Sequence, residues 1–226
     1  MLLGNGVVAN VLLQKTNGNN SGWIVITFGW GIAVFVGVFV AAKPSGAHLN
    51  PAITVALAFL GKIPWKVVPQ YVLGQMLGAM LGATGVWAAY RQHFIDTDNV
   101  ALKLAAFATG PSIPSVFHNV LTEIIASFVL VLGVLHIIAP SNSLGALDAL
   151  PAALLVLGIG LSLGGPTGYA TNPVRDLGPR IMHSILPLGD KGKSNWSYSW
   201  IPVVAPFIGA MLAALVYAFV LKQYQT

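Results

Sequence analysis

The sequence predicts an all-α membrane protein with six transmembrane helices and two re-entrant half-helices, arranged as an inverted repeat. Three observations predict it. First, 56% of the 226 residues are hydrophobic and only 8% are charged, with a mean hydropathy of +0.78, whereas a soluble domain has about 25% charged residues. Second, the dipeptide Asn-Pro occurs twice in apolar surroundings, in "HLNPA" at 48–52 and "ATNPV" at 170–174. Third, each copy is followed by an apolar run too short to cross a bilayer.

Composition also excludes whole classes of function. The net charge of +5 and pI near 9.6 do not indicate nucleic acid, because the basic residues are scattered between apolar blocks. Lys62 and Lys66 are the nearest approach to a basic cluster, and they read as a membrane-surface loop. Without cysteine, there is no disulfide framework, thiol nucleophile or thiolate metal site.

In chain order, residues 1–13 are apolar but short of the roughly 20 that a span needs. They read as the second half of a first transmembrane helix whose beginning is missing from this chain. No basic leader or cleavage site points to a signal peptide. After the polar loop 14–21, residues 23–42 make a span that Lys43-Pro44-Ser45-Gly46 ends. The run 50–60 would reach about 16 Å as a helix, half of a hydrocarbon core of about 30 Å. Residues 65–90 form a span with Gly74, Gly78 and Gly82 at four-residue intervals, which lets helix backbones approach closely in lipid. The loop 91–117 is long and polar, with room for a short turn of its own. Spans at 118–139 and 148–163 follow, then a second half-length helix at 172–186, a polar loop through Ser199 and a last span at 200–221.

Two similar halves result, with 1–110 as the first repeat and 111–226 as the second within one channel domain of 1–226. Each half holds three spans and one half-helix introduced by Gly-x-x-x-Asn-Pro. Aligning Asn50 with Asn172 also aligns Gly46 with Gly168 and Pro51 with Pro173. An odd number of spans per half makes the second copy enter from the opposite side, an arrangement found in membrane proteins that move solutes. Charge gives little help with orientation. With a cytoplasmic amino terminus, the inner segments hold Lys43, Lys62, Lys66 and Lys222. The outer ones hold Lys15, Arg91, Lys103, Arg175, Arg180, Lys191 and Lys193, against the positive-inside rule.

Asparagine is a favoured N-cap, and proline is favoured in the first helical turn, where its missing N–H costs nothing. Each half-helix therefore starts at its Asn-Pro, and in an inverted repeat the two starts meet near the midplane. Each start presents about half a positive charge, so the pair disfavours a cation. The asparagine amides are then placed to donate to a passing neutral solute. The segments 45–49 and 165–171 are non-helical at membrane depth, which is tolerable only inside protein or along a wet cavity. Their carbonyls, at Gly46, Ala47, His48, Gly168 and Ala170, would form a ladder of acceptors along a pore. The plain alternative is a pair of turns between helices. It fails to explain the matched glycine spacing and the half-length apolar runs.

The stretches "SGAHLNPAITVAL" at 45–57 and "GPTGYATNPVRDLGPR" at 165–180 resemble the two signatures of the aquaporin superfamily, the major intrinsic proteins. The resemblance covers nearly the whole chain. It implies a pore centre made by Asn50, Pro51 and Ala52 with Asn172, Pro173 and Val174. It also implies a selectivity filter of Trp30, Gly160, Tyr169 and Arg175. Trp, Gly, an aromatic and Arg together are similar to the glycerol-facilitator (aquaglyceroporin) branch, as is Asp176 followed by Arg180. Trp30 and Tyr169 would supply an apolar corner, and Arg175 fixed donors that also repel cations. Two departures stand out: Val174 replaces an alanine and adds bulk near the centre, and Tyr169 replaces the phenylalanine of some members. Its hydroxyl either faces the pore or points into protein.

Other polar residues carry two readings each. His48 is either a pore-lining switch or a side chain that holds its loop. Glu123, an ionisable group at mid-membrane, invites a functional reading, while the resemblance implies that it braces the loop before a half-helix. Gln75 matches a position with a similar packing role, and Asp176 is a candidate partner for Arg180.

The function expected is a passive channel for glycerol and related small uncharged solutes, passing some water and excluding ions and protons. A water-selective pore is the alternative within that class, and a coupled transporter the alternative outside it. No His-Glu-x-x-His, Gly-x-Ser-x-Gly or aspartate pair at helical spacing suggests an enzyme. No cofactor or metal is expected. Glycerol, other small neutral solutes, water and membrane lipid are the expected partners, with a homotetramer in the plasma membrane implied by the resemblance, and no nucleic acid.

Overall fold

The computed structural model describes residues 1–137 and 145–221, and everything described is helix, turn or loop. The end of the expected span 118–139 and the inner cation Lys222 lie outside the described residues. Among the described residues, ten α-helices follow in order: α1 (Leu2–Leu12), α2 (Trp23–Ser45), α3 (Pro51–Phe59), α4 (Val68–Ala89), α5 (Arg91–Asp96), α6 (Val100–Ala105), α7 (Val116–Ile137), α8 (Leu150–Leu163), α9 (Pro173–Ile185) and α10 (Trp200–Val216). Short 3₁₀ turns at Trp65–Val67 and Gly145–Ala149 precede α4 and α8, and a π-type turn at Tyr217–Leu221 extends α10.

Among the described residues, four segments are long and apolar enough to cross a membrane, namely Trp23–Ser45, Trp65–Ala89, Val116–Ile137 and Trp200–Phe219. Leu2–Leu12 and Leu147–Leu163 are shorter apolar helices. The helices α3 and α9 are the half-length pair.

Packing relates the two halves. The half-helix α9 lies on α4 as α3 lies on α10, α1 packs on α2 as α7 packs on α8, and α2 packs on α8 across the middle. Small residues allow this. At the α7–α10 contact, a Cβ on Gly209 would press on the backbone around Ile124 and Phe128. Ala52, Ala56, Ala210, Ala213 and Ala214 fill one core cluster. Dispersion and backbone approach, rather than loss of water, hold such helices together in lipid.

Three local features differ from the sequence reading. The helix α2 runs through Lys43 and Pro44 to Ser45 and ends on Gly46 at φ +70°, whose N–H reaches Ala42 O at 2.8 Å. A left-handed glycine is the stronger stop, since proline in the last turn forfeits only one bond. The loop after α4 holds two short helices, α5 and α6, the latter capped by Asn99 Oδ1 accepting from Ala101 N–H at 2.9 Å. Of the three spaced glycines on α4, Gly82 meets the start of α1, while Gly74 and Gly78 border a cavity with no heavy atom near their missing Cβ positions.

Candidate functional site: a conduit between two half-helices

The same local chemistry builds both half-helices. Asn50 is extended (φ −153°), and its Oδ1 accepts from Ala52 N–H at 2.9 Å. Asn172 is likewise extended (φ −147°), and its Oδ1 accepts from Val174 N–H at 3.2 Å and Arg175 N–H at 3.4 Å. Pro51 and Pro173 occupy the first helical position after each cap.

The loop before each asparagine repeats an unusual backbone. Gly46, Ala47 and Leu49 have φ of +70°, +51° and +54°, and the matched Gly168, Tyr169 and Thr171 have +82°, +40° and +47°. Four of these six are not glycine, and left-handed geometry costs an L-residue about 1–2 kcal/mol. Strain repeated at matched positions has to be held by the surroundings.

It is held first by a reciprocal clasp. Asn50 Nδ2 donates to Thr171 O, and Asn172 Nδ2 donates to Leu49 O, both at 2.8 Å. Each amide thus spends one N–H on the residue before the other asparagine and keeps one for a ligand. The expectation that these amides serve a passing solute is therefore narrowed to one N–H each. The clasp was not legible in the sequence, although Leu49 and Thr171 occupy equivalent places.

Further supports differ between the halves. In the second, the buried Glu123 carboxylate accepts from Thr167 Oγ1 (2.6 Å), Ala170 N–H (2.9 Å) and Thr171 N–H (2.8 Å). In the first, Thr54 Oγ1 donates to Asn50 O at 3.0 Å and accepts from Gln75 Nε2 at 3.0 Å. His48 Nδ1 lies 3.2 Å from the same hydroxyl, and its ring stacks on Tyr71 at 4.5 Å between centroids. Since the hydroxyl proton goes to Asn50 O, the His48 contact requires Nδ1 to be the donor.

A cavity of about 1120 Å³ runs past these groups. Trp30, Gly46, Ala47, His48, Asn50 and Gln75 border it, as do Tyr169, Ala170, Asn172, Val174 and Arg175. Leu49, 37% exposed, supplies an apolar patch beside Asn50. Pro51, Ala52 and Pro173 are buried in the helix starts, and Glu123 and Asp176 are fully buried. Gly168 packs against Thr109, where a Cβ would come within 3.3 Å.

Arg175 is 7% exposed and its guanidinium carbon sits 4.1 Å from the centre of the Trp30 ring. Its NH1 donates to Phe107 O at 3.5 Å. A desolvated cation over an indole gains about 2 kcal/mol. Tyr169 stands edge-on to Trp23 at 5.8 Å. A Cβ on Gly160 would lie 3.0 Å from Tyr169 Cζ and 2.9 Å from Thr27 Cγ2, so the tyrosine ring covers the glycine. The space that a side chain at 160 would need is already filled. The Tyr169 hydroxyl is buried there with no hydrogen-bond partner among the described residues, which answers its orientation: it points into protein. No group of three or more His, Cys, Asp or Glu side chains suited to a metal occurs among the described residues.

This arrangement gathers the two asparagines, both re-entrant loops, apolar side chains and the Arg175 guanidinium around one cavity. Residues 1–217 match the family model described as "Major intrinsic protein". The chain is 54% identical over 218 residues to the glycerol uptake facilitator protein of Streptococcus pneumoniae, covering 96% of this chain and 93% of that one. It is 50% identical over 226 residues to the glycerol uptake facilitator protein of Bacillus subtilis, covering 100% of this chain and 82% of that one. The X-ray structure of the aquaglyceroporin from Plasmodium falciparum superposes with a TM-score of 0.85 at 35% identity, covering 99% of this chain and 92% of that one.

Proposed function

The chain belongs to the major intrinsic protein family, and from that premise we propose that it is a passive channel for glycerol and related small uncharged solutes. It is an integral membrane protein and not an enzyme. The observation that supports glycerol most directly is the filter: the apolar rings of Trp30 and Tyr169 border the cavity together with Arg175, whose guanidinium lies on the Trp30 ring and has one hydrogen bond to protein among the described residues, from NH1 to Phe107 O. A polyol has one carbon edge and one hydroxylated edge, and such a wall offers both a partner. Past the filter, the solute exchanges water for loop carbonyls and for the unspent N–H of Asn50 and Asn172. Arg175 and the two half-helix N-termini repel cations.

The pore centre of Asn50, Pro51, Ala52, Asn172, Pro173 and Val174, the filter with Gly160, and the supports Gln75, Glu123 and Asp176 are part of this proposal. So are some permeability to water, a homotetramer with one conduit per chain, residence in the plasma membrane, and the division of the channel into repeats at 110/111. The tetramer rests on the family resemblance, and native-gel mass with intramembrane cross-linking checks it.

Stopped-flow light scattering on proteoliposomes is the test. Glycerol is expected to pass readily, and Gly160→His, which would drive an imidazole into the Tyr169 ring, is expected to reduce glycerol flux more than water flux. An unmutated protein that passes water and excludes glycerol contradicts the proposal.

A further inference from the structure

One buried ion pair lies outside the conduit, and the proposed conduction does not use it directly. Asp176 and Arg180 are both fully buried on α9, with Arg180 Nε to Asp176 Oδ1 at 2.7 Å and Arg180 NH2 to Asp176 Oδ2 at 2.9 Å. Burying two charges is costly unless every remaining hydrogen-bonding position is satisfied, and here they are satisfied by two loops. Arg180 NH2 also donates to Thr109 O at 2.8 Å, and NH1 donates to Ser194 O (2.8 Å) and Asn195 O (3.1 Å). Asp176 Oδ2 accepts from both Thr109 N–H and Thr109 Oγ1 at 2.7 Å.

The pair therefore grips Thr109 through its N–H, its hydroxyl and its carbonyl. Two residues earlier, Phe107 O accepts from Arg175 NH1 at 3.5 Å and from Asn5 Nδ2 at 3.0 Å. Segment 107–109 is thus a shelf, pinned at one end by Asp176 and Arg180 and carrying the Arg175 guanidinium at the other. All three charged residues share one half-helix, so the shelf is fixed relative to the group it carries. Gly168, beside the filter, packs on the Thr109 methyl side.

We infer that Asp176 and Arg180 are positioning residues that set the height of Arg175 over Trp30, through Thr109 and the Phe107 carbonyl, and thereby set which solutes the filter prefers. The inference rests on the glycerol-channel reading. Arg175 makes no other hydrogen bond from its side chain to protein that the described residues show. Without the shelf its stem is free to re-aim the donors, while its charge stays.

The test compares glycerol and water permeability in the same proteoliposomes, because their ratio cancels the amount of channel inserted. Arg180→Lys keeps the charge and loses the forked grip. It is expected to lower the glycerol-to-water ratio by roughly threefold or more, the size of coupling carried by such networks. Thr109→Val keeps a methyl against Gly168 and removes only the hydroxyl donor, so it moves the ratio the same way by less. Thr109→Ser keeps the hydroxyl and is expected to restore the unmutated ratio.

A purely structural pair would lower both fluxes together, leaving the ratio fixed in all three variants, and that result overturns the inference. If Arg180→Lys fails to insert, the Thr109 pair decides: equal ratios for Val and Ser overturn it, and a lowered ratio for Val alone supports it. An unmutated protein that passes no glycerol sinks the channel reading instead, before any variant is compared.

Discussion

The two re-entrant loops share a backbone and differ in what holds it. Gly46, Ala47 and Leu49 repeat the left-handed positions of Gly168, Tyr169 and Thr171, and each loop is clasped by the other's asparagine. The first is supported by neutral groups: Thr54, Gln75 and His48, with Tyr71 Oη donating to Ser45 O at 3.0 Å. The second is supported by charges: the Glu123 carboxylate holds Thr167, Ala170 and Thr171 directly, while Asp176 and Arg180 fix Thr109, against which Gly168 packs. Likewise α3 is apolar save for Thr54, while α9 carries Arg175, Asp176, Arg180 and His183. The filter arginine belongs to the second half, so that half has to be the stiffer one. Ionic hydrogen bonds in a low dielectric provide that stiffness, whereas neutral ones suffice for a wall of carbonyls.

The comparison can be broken most severely at Glu123. Glu123→Ala leaves the N–H groups of Ala170 and Thr171 without an acceptor, at about 1–3 kcal/mol each. The expected result is loss of folded channel from detergent extracts on size-exclusion chromatography. A variant that remains monodisperse with unchanged thermal stability removes the claim that a carboxylate holds this loop.

Next come the asparagines. Asn50→Ala and Asn172→Ala each lose a cap and one strand of the clasp, about 2 kcal/mol in sum, so their thermal shifts should be similar. Their transport should differ, because only Asn172 also holds the N–H of Arg175. The glycerol-to-water ratio is expected to fall further for Asn172→Ala.

In the neutral half, Thr54→Val should cost only about 1 kcal/mol, since Gln75 and His48 border the cavity and water can replace the hydroxyl. A loss as large as that of Glu123→Ala would erase the contrast between the halves.

The smallest effect is expected at the surface contact between loops, where Lys15 Nζ lies 2.7 Å from Asp96 Oδ2. The hydrogen bond from Lys15 holds the Asp96 carboxyl below its ordinary value. The contact therefore stabilises above the free carboxylate pKa of about 3.9 and is lost as pH falls through the lowered value. Both side chains are well exposed, so Lys15→Gln should shift the melting temperature by no more than replicate error at neutral pH.

What the sequence made legible was whatever depends on local chemistry. Asn50-Pro51 and Asn172-Pro173 announce helix starts because capping needs only neighbours. Apolar run lengths separate spans from half-helices for the same reason. The clasp was invisible because it depends on two distant loops adopting the same left-handed turn and meeting. Thr109 and Phe107 stayed hidden in a polar loop, where nothing local distinguishes a shelf from a tether.

The basic residues that a cytoplasmic amino terminus would put outside gave little help with orientation for a related reason. Lys103 Nζ donates to Leu188 O and Asp190 O, and Lys191 Nζ to Ser184 O and Leu186 O. Arg91 lies over the Trp87 ring at 5.5 Å. With Lys15 paired and Arg175 and Arg180 built into the site, most of these cations are fastening the loops of one face. A count of free topogenic charge therefore overstates that face.

The claim beneath all of this is that the clasped half-helices leave a passive passage for uncharged solutes. Glycerol entry into proteoliposomes, followed against concentration with and without an imposed proton gradient, tests it most directly. The account predicts flux that rises linearly with glycerol and ignores the gradient. Flux that saturates at low concentration and is driven by protons would contradict it.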